Sequence, residues 1–366
     1  MTLRVVVAPD SFGTTLTAAG AAAAIARGWS SARPHDIVVA APQSDGGPGF
    51  IDCLAGTGVV RATTVAGPLG DPVTARWRVD GDTAYVESAQ ACGLHLVGVP
   101  TVDSAVRASS TGLGELIAAV VEADPVRRLV VGLGGSATTD GGAGLLEALG
   151  GPRGAAHSLA GVEVVAATDV DNPLNGPAGA AAVFAPQKGA DPPTVEILAA
   201  RLAGIGAELD RFAGRAVTAE PGAGAAGGIG AALLSLGAHR ASGADLVAQI
   251  TGVRQRETVP DRVFDEADDR LGDLQGLALI GFDTTDFLEL PEVRTPPWSD
   301  GVSRWAVSAA RTSPHVSDTM LKTHTLSLTN RNGRLQSTSL LETNSRGLAA
   351  WEANPRACLT DKPSTS

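Results

Sequence analysis

Two stretches of the chain repeat one arrangement: Ser44-Asp45-Gly46-Gly47-Pro48-Gly49-Phe50 and Thr139-Asp140-Gly141-Gly142-Ala143-Gly144-Leu145. Each places a hydroxyl, a carboxylate and three glycines at the same spacing, between an apolar run and a helix-like one. A carboxylate so placed can hold a metal ion or polarise a hydroxyl. Glycines let backbone N–H groups approach an anion, because no Cβ stands in the way. The plainer alternative is a pair of tight strand-to-helix turns. Other polar residues sit in similar places. Asp10 and Ser11 follow an apolar run, and Thr168-Asp169-Val170-Asp171-Asn172 follows another. Asp169 and Asp171 alternate along an extended segment, so their side chains can point one way and share a cation. A turn closing at Pro173 explains Asn172 equally well.

The densest cluster is Gly132-Leu133-Gly134-Gly135-Ser136-Ala137-Thr138-Thr139. Gly132, Gly134 and Ala137 formally match a dinucleotide fingerprint, but the helix begins too late for it. A phosphate cradle of glycines and hydroxyl donors fits better. No Gly-x-x-x-x-Gly-Lys-Ser/Thr occurs, so a P-loop is excluded. Lys188 is the only lysine in residues 1–253, against 14 arginines. A compact charge beside Gly189 suits a phosphate; a solvated surface lysine is the bland alternative. Gly227 and Gly228 end a glycine-rich stretch that opens a helix, which is a second anion site or merely tight packing. Glu87, at a strand end, is a weaker candidate to contact a hydroxyl. The histidines form no pairs, and neither a Ser/His/Asp order nor zinc spacing occurs.

Short apolar runs alternate with helical patterns through residue 250, the mark of an α/β fold with a largely parallel sheet. Strands are expected at 3–8, 37–41, 59–65, 75–79, 83–87, 128–133 and 162–167. Helices are expected at 17–28, with Thr17 as N-cap, and near 48–55, 112–123, 143–149, 193–213 and 227–236. In such a sheet, ligands bind beyond the carboxyl ends of strands, where Asp10 and Ser11 must lie.

At 366 residues the chain is long enough for two domains. A net charge of −11 with no basic face argues against a nucleic-acid partner. Three scattered cysteines give no disulfide framework, no run reaches membrane-spanning length, and Leu3–Ala8 reads as a strand rather than a leader. These features point to a soluble cytoplasmic protein. Composition changes near residue 254: residues 1–253 hold 39 of the 45 glycines, and charge becomes denser afterwards. From about 312 onward Ser, Thr, Asn and Arg dominate, so an irregular, disordered tail is expected over 312–366.

Seven stretches, in order over residues 1–253, resemble the bacterial glycerate kinase family of the glyoxylate and glucarate pathways. They are Ala8–Phe12, Ser44–Gly47, Gly67–Gly70, Gly134–Gly144, Asp169–Leu174, Phe184–Gly189 and Gly222–Gly228. The resemblance implies ATP- and Mg²⁺-dependent phosphorylation of D-glycerate at the 2-hydroxyl, on two α/β domains flanking a cleft. The expected division is 1–65 with about 180–311 in one domain and 66–179 in the other. Asp171, with Asp169, would serve the acceptor hydroxyl or Mg²⁺. Asp45 and Asp140 would be metal or substrate carboxylates, with Asp169 a third metal candidate. Gly134, Gly135, Ser136 and Thr139 would contact phosphate, and Lys188 would supply positive charge. Asp10, Ser11, Gly46, Gly47, Asn172, Gly227 and Gly228 would complete the binding surface. An arginine is wanted for the glycerate carboxylate, and the sequence does not pick one. The chain departs from the family at Gly13, where a lysine is usual, in the short stretch 150–161, and after Val253. There the family's Thr-Gly-Glu-Gly never comes. That break points to a replaced C-terminus. A catalytically impaired remnant that binds anions or nucleotide is the alternative to an active kinase.

Overall fold

The computed structural model describes residues 2–12, 15–54 and 58–253, and the backbone alone of 274–282, 307–310, 324–329 and 335–340. Two compact units divide the chain, Met1–Asp286 and Phe287–Ser366. The first unit is built on two sheets. Its strands are β1 (Thr2–Pro9), β2 (Ile37–Ala40), β3 (Val59–Ala66), β4 (Pro72–Asp80), β5 (Thr83–Glu87), β6 (Arg128–Gly132), β7 (Glu163–Ala167), β8 (His239–Ala241) and β9 (Leu274–Phe282). A three-stranded sheet runs β2-β1-β9, all parallel. A six-stranded sheet runs β3-β4-β5-β6-β7-β8; its first two pairings are antiparallel and the rest parallel.

The central parallel strands β1, β6 and β7 are apolar along most of their length, as strands covered on both faces must be. Val5, Val6 and Val7 are fully buried in β1, as are Leu129, Val130 and Val131 in β6. The helix Ala18–Ala32 begins where Thr17 accepts from the Gly20 N–H, and it packs Ala22, Ile25 and Trp29 against β1. The helix Pro192–Ala213 is capped by Asp191 and buries Leu198, Leu202 and Leu209, one stripe at helical spacing. In the register of the large sheet, Glu87, Gly132, Ala167 and Ala241 line up as neighbours across four strands. One row of chain ends therefore carries most of the loops singled out above. Among the described residues, no helix is long and apolar enough to cross a membrane.

Several elements differ from expectation. Strand β8, only three residues long, joins the six-stranded sheet, and so does β3. Boundaries at 65/66 and 179/180 therefore cut across that sheet. Helices at Ser88–Cys92, Val102–Arg107, Gly151–Ser158, Ala180–Phe184 and Gly243–Ile250 were not anticipated; most are too short to print a period. Past the composition break the chain still supplies a strand, since β9 pairs with β1 along its length. In the second unit β10 (Val307–Ala310), β11 (His324–Thr329) and β12 (Leu335–Leu340) form an antiparallel sheet. The irregular tail expected from 312 otherwise lies outside the described residues.

Candidate active site

The first Asp-Gly-Gly turn is tied by its own side chains. The Gly46 N–H donates to Ser44 Oγ at 3.2 Å and the Gly47 N–H to Asp45 Oδ1 at 2.8 Å. The turn lies across the carboxyl ends of β6 and β7. Gly46 has φ +98°, and a Cβ on it would stand 2.6 Å from the Ala167 carbonyl oxygen. A Cβ on Gly134 would stand 2.5 Å from Gly47 Cα, one on Gly135 2.6 Å from Pro48 Cγ, and one on Gly243 2.0 Å from the Asp45 carbonyl oxygen. These glycines are thus required for loop-on-loop packing. At Gly46, Gly134 and Gly135 protein atoms fill the place a Cβ would take, so packing by itself accounts for glycine there. Beneath this turn lies Glu87, 2% exposed, whose Oε2 accepts from the Ile51 N–H at 3.5 Å. Burial pushes its pKa up to about 7, and the Gly49 and Ile51 N–H groups only partly oppose that.

Asp140, in the second turn, is buried. Its Oδ2 accepts from the Ser110 N–H at 2.8 Å, Ser110 Oγ at 2.7 Å and the Gly144 N–H at 3.3 Å; its Oδ1 accepts from the Gly142 N–H at 3.1 Å. The carboxylate locks the starts of the helices Thr111–Ala123 and Ala143–Ala148 together. Four donors leave it poorly suited to a cation. Asp169 Oδ2 accepts from the Ala244 N–H at 3.0 Å, at the start of the helix Gly243–Ile250. Among the described residues, no three His, Cys, Asp or Glu side chains group to hold a metal. Asp45, Asp140 and Asp169 therefore do not form one metal cage. Mg²⁺ on a nucleotide asks for only one or two carboxylates, its other ligands being phosphate and water. Asp45, Asp169 and Asp171 fit that demand and Asp140 does not.

Lys188 is not a solvated surface lysine. It is 3% exposed, and Nζ donates to the Thr138 carbonyl oxygen at 2.6 Å and to Ser136 Oγ at 3.1 Å. Burial draws its pKa down to about 8, with the Cys92 thiol and Asp140 pulling the other way. Beside it, Thr139 Oγ1 is buried without a hydrogen-bond partner. The first turn of the helix Ala225–Ser235, where Ala226, Gly227 and Gly228 have left-handed backbone, seals this side: the Gly141 N–H donates to the Gly227 carbonyl oxygen at 3.0 Å and Thr138 Oγ1 to that of Ala226 at 3.2 Å. Gly227 has φ +68°, and a Cβ there would lie 1.8 Å from the Thr138 carbonyl oxygen; one on Gly228 would lie 2.7 Å from Gly141 Cα. Here too the glycines serve packing. The dinucleotide fingerprint at 132–137 fails on position, since its helix starts only at Ala143.

The third loop follows β7. Asn172 accepts from the Gly224 N–H at 2.8 Å through its carbonyl oxygen and donates from Nδ2 to Ala178 at 2.8 Å. Asp169 and Asp171 take different partners: the first caps a helix, and the second pairs with Arg240, Nη2 to Oδ1 at 2.8 Å. Arg240 also donates from Nε to the Thr168 carbonyl oxygen at 3.2 Å. Sequence reasoning left that arginine unnamed, because a three-residue strand gives no pattern to place it. At the end of β1, Asp10 is buried and accepts from the Ser11 N–H at 2.5 Å, while Ser11 is half-buried. The first loop, 44–47, packs on 134 in the second and on 243, while 138–141 and 172–173 are both tied to the stretch 224–228. A cavity of about 400 Å³ under the helix Gly243–Ile250, lined by Tyr85, Arg128, Val130, Asp245 and Gln249, contains none of these site residues.

Comparison with known proteins bears on this arrangement. The glycerate kinase family pattern matches residues 5–154 and 151–265. An uncharacterised protein of Mycobacterium bovis is 56% identical over 253 residues, covering 68% of this chain and 66% of its own length. The glycerate kinase of Bacillus subtilis is 40% identical over 276 residues, covering 68% of this chain and 72% of its own. A crystal structure of a Salmonella typhimurium LT2 protein assigned as glycerate kinase 2 superposes with a TM-score of 0.59 at 29% identity, covering 77% of this chain and 90% of that one. The chain belongs to the glycerate kinase family.

Proposed function

We propose that the chain is a cytoplasmic kinase that transfers the terminal phosphoryl group of ATP to the 2-hydroxyl of D-glycerate, giving 2-phosphoglycerate. The observation that carries this reading is the gathering of three glycine- and aspartate-rich loops along the carboxyl edge of β5 to β8, where an open α/β sheet binds its ligands. Phosphoryl transfer needs positioning and charge neutralisation more than covalent help from protein. Mg²⁺ on the nucleotide supplies part of that neutralisation. Asp171, exposed and at the loop's outer end, accepts from the acceptor hydroxyl; Asp45 and Asp169 offer oxygens to the metal. Lys188, buried with Ser136 and the unpartnered Thr139 hydroxyl, supplies positive charge behind the phosphate-binding loop. Asp140 is a positioning residue that fixes this loop without touching substrate. Asp10, Ser11 and Asn172 shape the rim.

A second reading has its own observation. The family match ends at residue 265, close to the composition break, and the Thr-Gly-Glu-Gly motif is missing. A remnant that binds nucleotide without turnover would look the same in these loops. An assay of the full-length protein with D-glycerate, ATP and Mg²⁺ decides between them. ADP release that requires glycerate is the expected result; nucleotide binding with no release favours the remnant.

A further inference from the structure

Where β7 and β8 end, a guanidinium and a carboxylate stand side by side. Arg240 spans from the Thr168 carbonyl oxygen, at 3.2 Å from Nε, to Asp171 Oδ1, at 2.8 Å from Nη2. Its stem lies against Gly222, where a Cβ would come within 2.8 Å of Arg240 Cδ, so a larger residue there would crowd the stem. The Arg240 side chain is 30% exposed and that of Asp171 76%, so both remain open to a small molecule. Among the described residues, Nη1 makes no hydrogen bond. Other arginines near the site are committed elsewhere: Arg76 to Asp52, and the buried Arg78 to the Ile51 carbonyl oxygen.

We infer that Arg240 is the residue that selects a 2-hydroxy acid, holding the substrate carboxylate while Asp171 accepts from the neighbouring hydroxyl. The inference rests on the kinase reading above and names what that reading leaves open. In a 2-hydroxy acid the alcohol carbon is bonded directly to the carboxyl carbon. A site for it must therefore present a cation and an acceptor next to each other, as Arg240 and Asp171 do. A guanidinium has five donors in a planar fork and can engage two carboxylates at once, Asp171 on one side and the substrate on the other. An uncharged polyol such as glycerol leaves the open side of the fork unmatched, so discrimination follows from charge.

The test uses full-length protein, wild type, Arg240→Met and Arg240→Lys, with folding checked by circular dichroism. Calorimetric titration with D-glycerate and with glycerol is paired with KM values for D-glycerate and ATP. Arg240→Met is expected to raise the KM for D-glycerate by about tenfold or more, leave that for ATP unchanged and erase the preference for D-glycerate over glycerol. Arg240→Lys, keeping the charge without the fork, falls between. Unchanged glycerate binding, or a loss of kcat with KM intact, overturns the assignment, the latter meaning that Arg240 acts only through Asp171. Should the Met variant not fold, the Lys variant is judged by the same criteria. Wild-type protein that binds D-glycerate in an Arg240-dependent way without turnover would sink the kinase reading and support this one; turnover indifferent to Arg240 would do the reverse.

Discussion

A lysine buried among loops loses its hydration, and the pKa of Lys188, drawn down to about 8 despite Asp140 nearby, records that loss. If its charge faces the nucleotide phosphates, kcat/KM for ATP in the free enzyme falls as pH rises through about 8. A pH–rate profile checks this, and Lys188→Met should show a lower plateau with no alkaline limb there. Asp171→Asn keeps the size and one hydrogen bond but cannot take up a proton. Turnover is expected to drop by about a hundredfold or more with the melting temperature unchanged, since the side chain is exposed. A near wild-type rate would remove Asp171 from the chemistry. Glu87 makes a prediction of the opposite kind, about stability. Its folded pKa of about 7 lies above the ordinary 4.5, so the fold prefers its protonated form. That contribution is full below about 4.5 and is lost as pH rises to about 7. Its upper limit is about 3 kcal/mol. Urea titrations of wild type and Glu87→Gln across this window should differ in slope, the variant lacking this fall.

Helices, strands and turns divide cleanly into those that local sequence could announce and those it could not. β1 and the helix Ala18–Ala32 were readable because three consecutive valines and a Thr17 cap act within a few residues of themselves. The Asp-Gly-Gly turns were readable as turns, and their place at strand ends followed from the α/β alternation. What the glycines are for was not readable. Gly134 is glycine because Gly47 lies against it, and Gly227 because Thr138 does, contacts between residues some ninety positions apart. Arg240 was hidden for a related reason: its role comes from Thr168 and Asp171, which only sheet pairing brings near. Two substitutions separate packing from propensity. Gly227→Ala forces a Cβ onto a carbonyl at positive φ and should cost about 3 kcal/mol or more. Gly204→Ala, in the middle of the helix Pro192–Ala213 with open space around it, should instead stabilise by up to about 1 kcal/mol. Denaturant midpoints measure both, and equal effects would refute the packing account.

Across the whole molecule, the small sheet joins distant parts of the sequence. β1 lies between β2 and β9, so its second neighbour comes from beyond the composition break. A chain ended at residue 273 would leave one side of β1 unpaired. Its expected behaviour is a lower melting temperature and concentration-dependent association, read by scanning calorimetry and light scattering against the full chain. A truncated protein as stable and monodisperse as the intact one would show that β9 is dispensable. The same strand order has a consequence during synthesis. The helix Ala18–Ala32 and β2 can cover Val5 and Val7 early, but one edge of β1 and Val6, which packs with Val253, wait for chain made about 240 to 270 residues later. Such a nascent chain is a natural client for a chaperone that shields apolar segments, and its yield in a cell should depend on that help more than on the melting temperature of the finished enzyme.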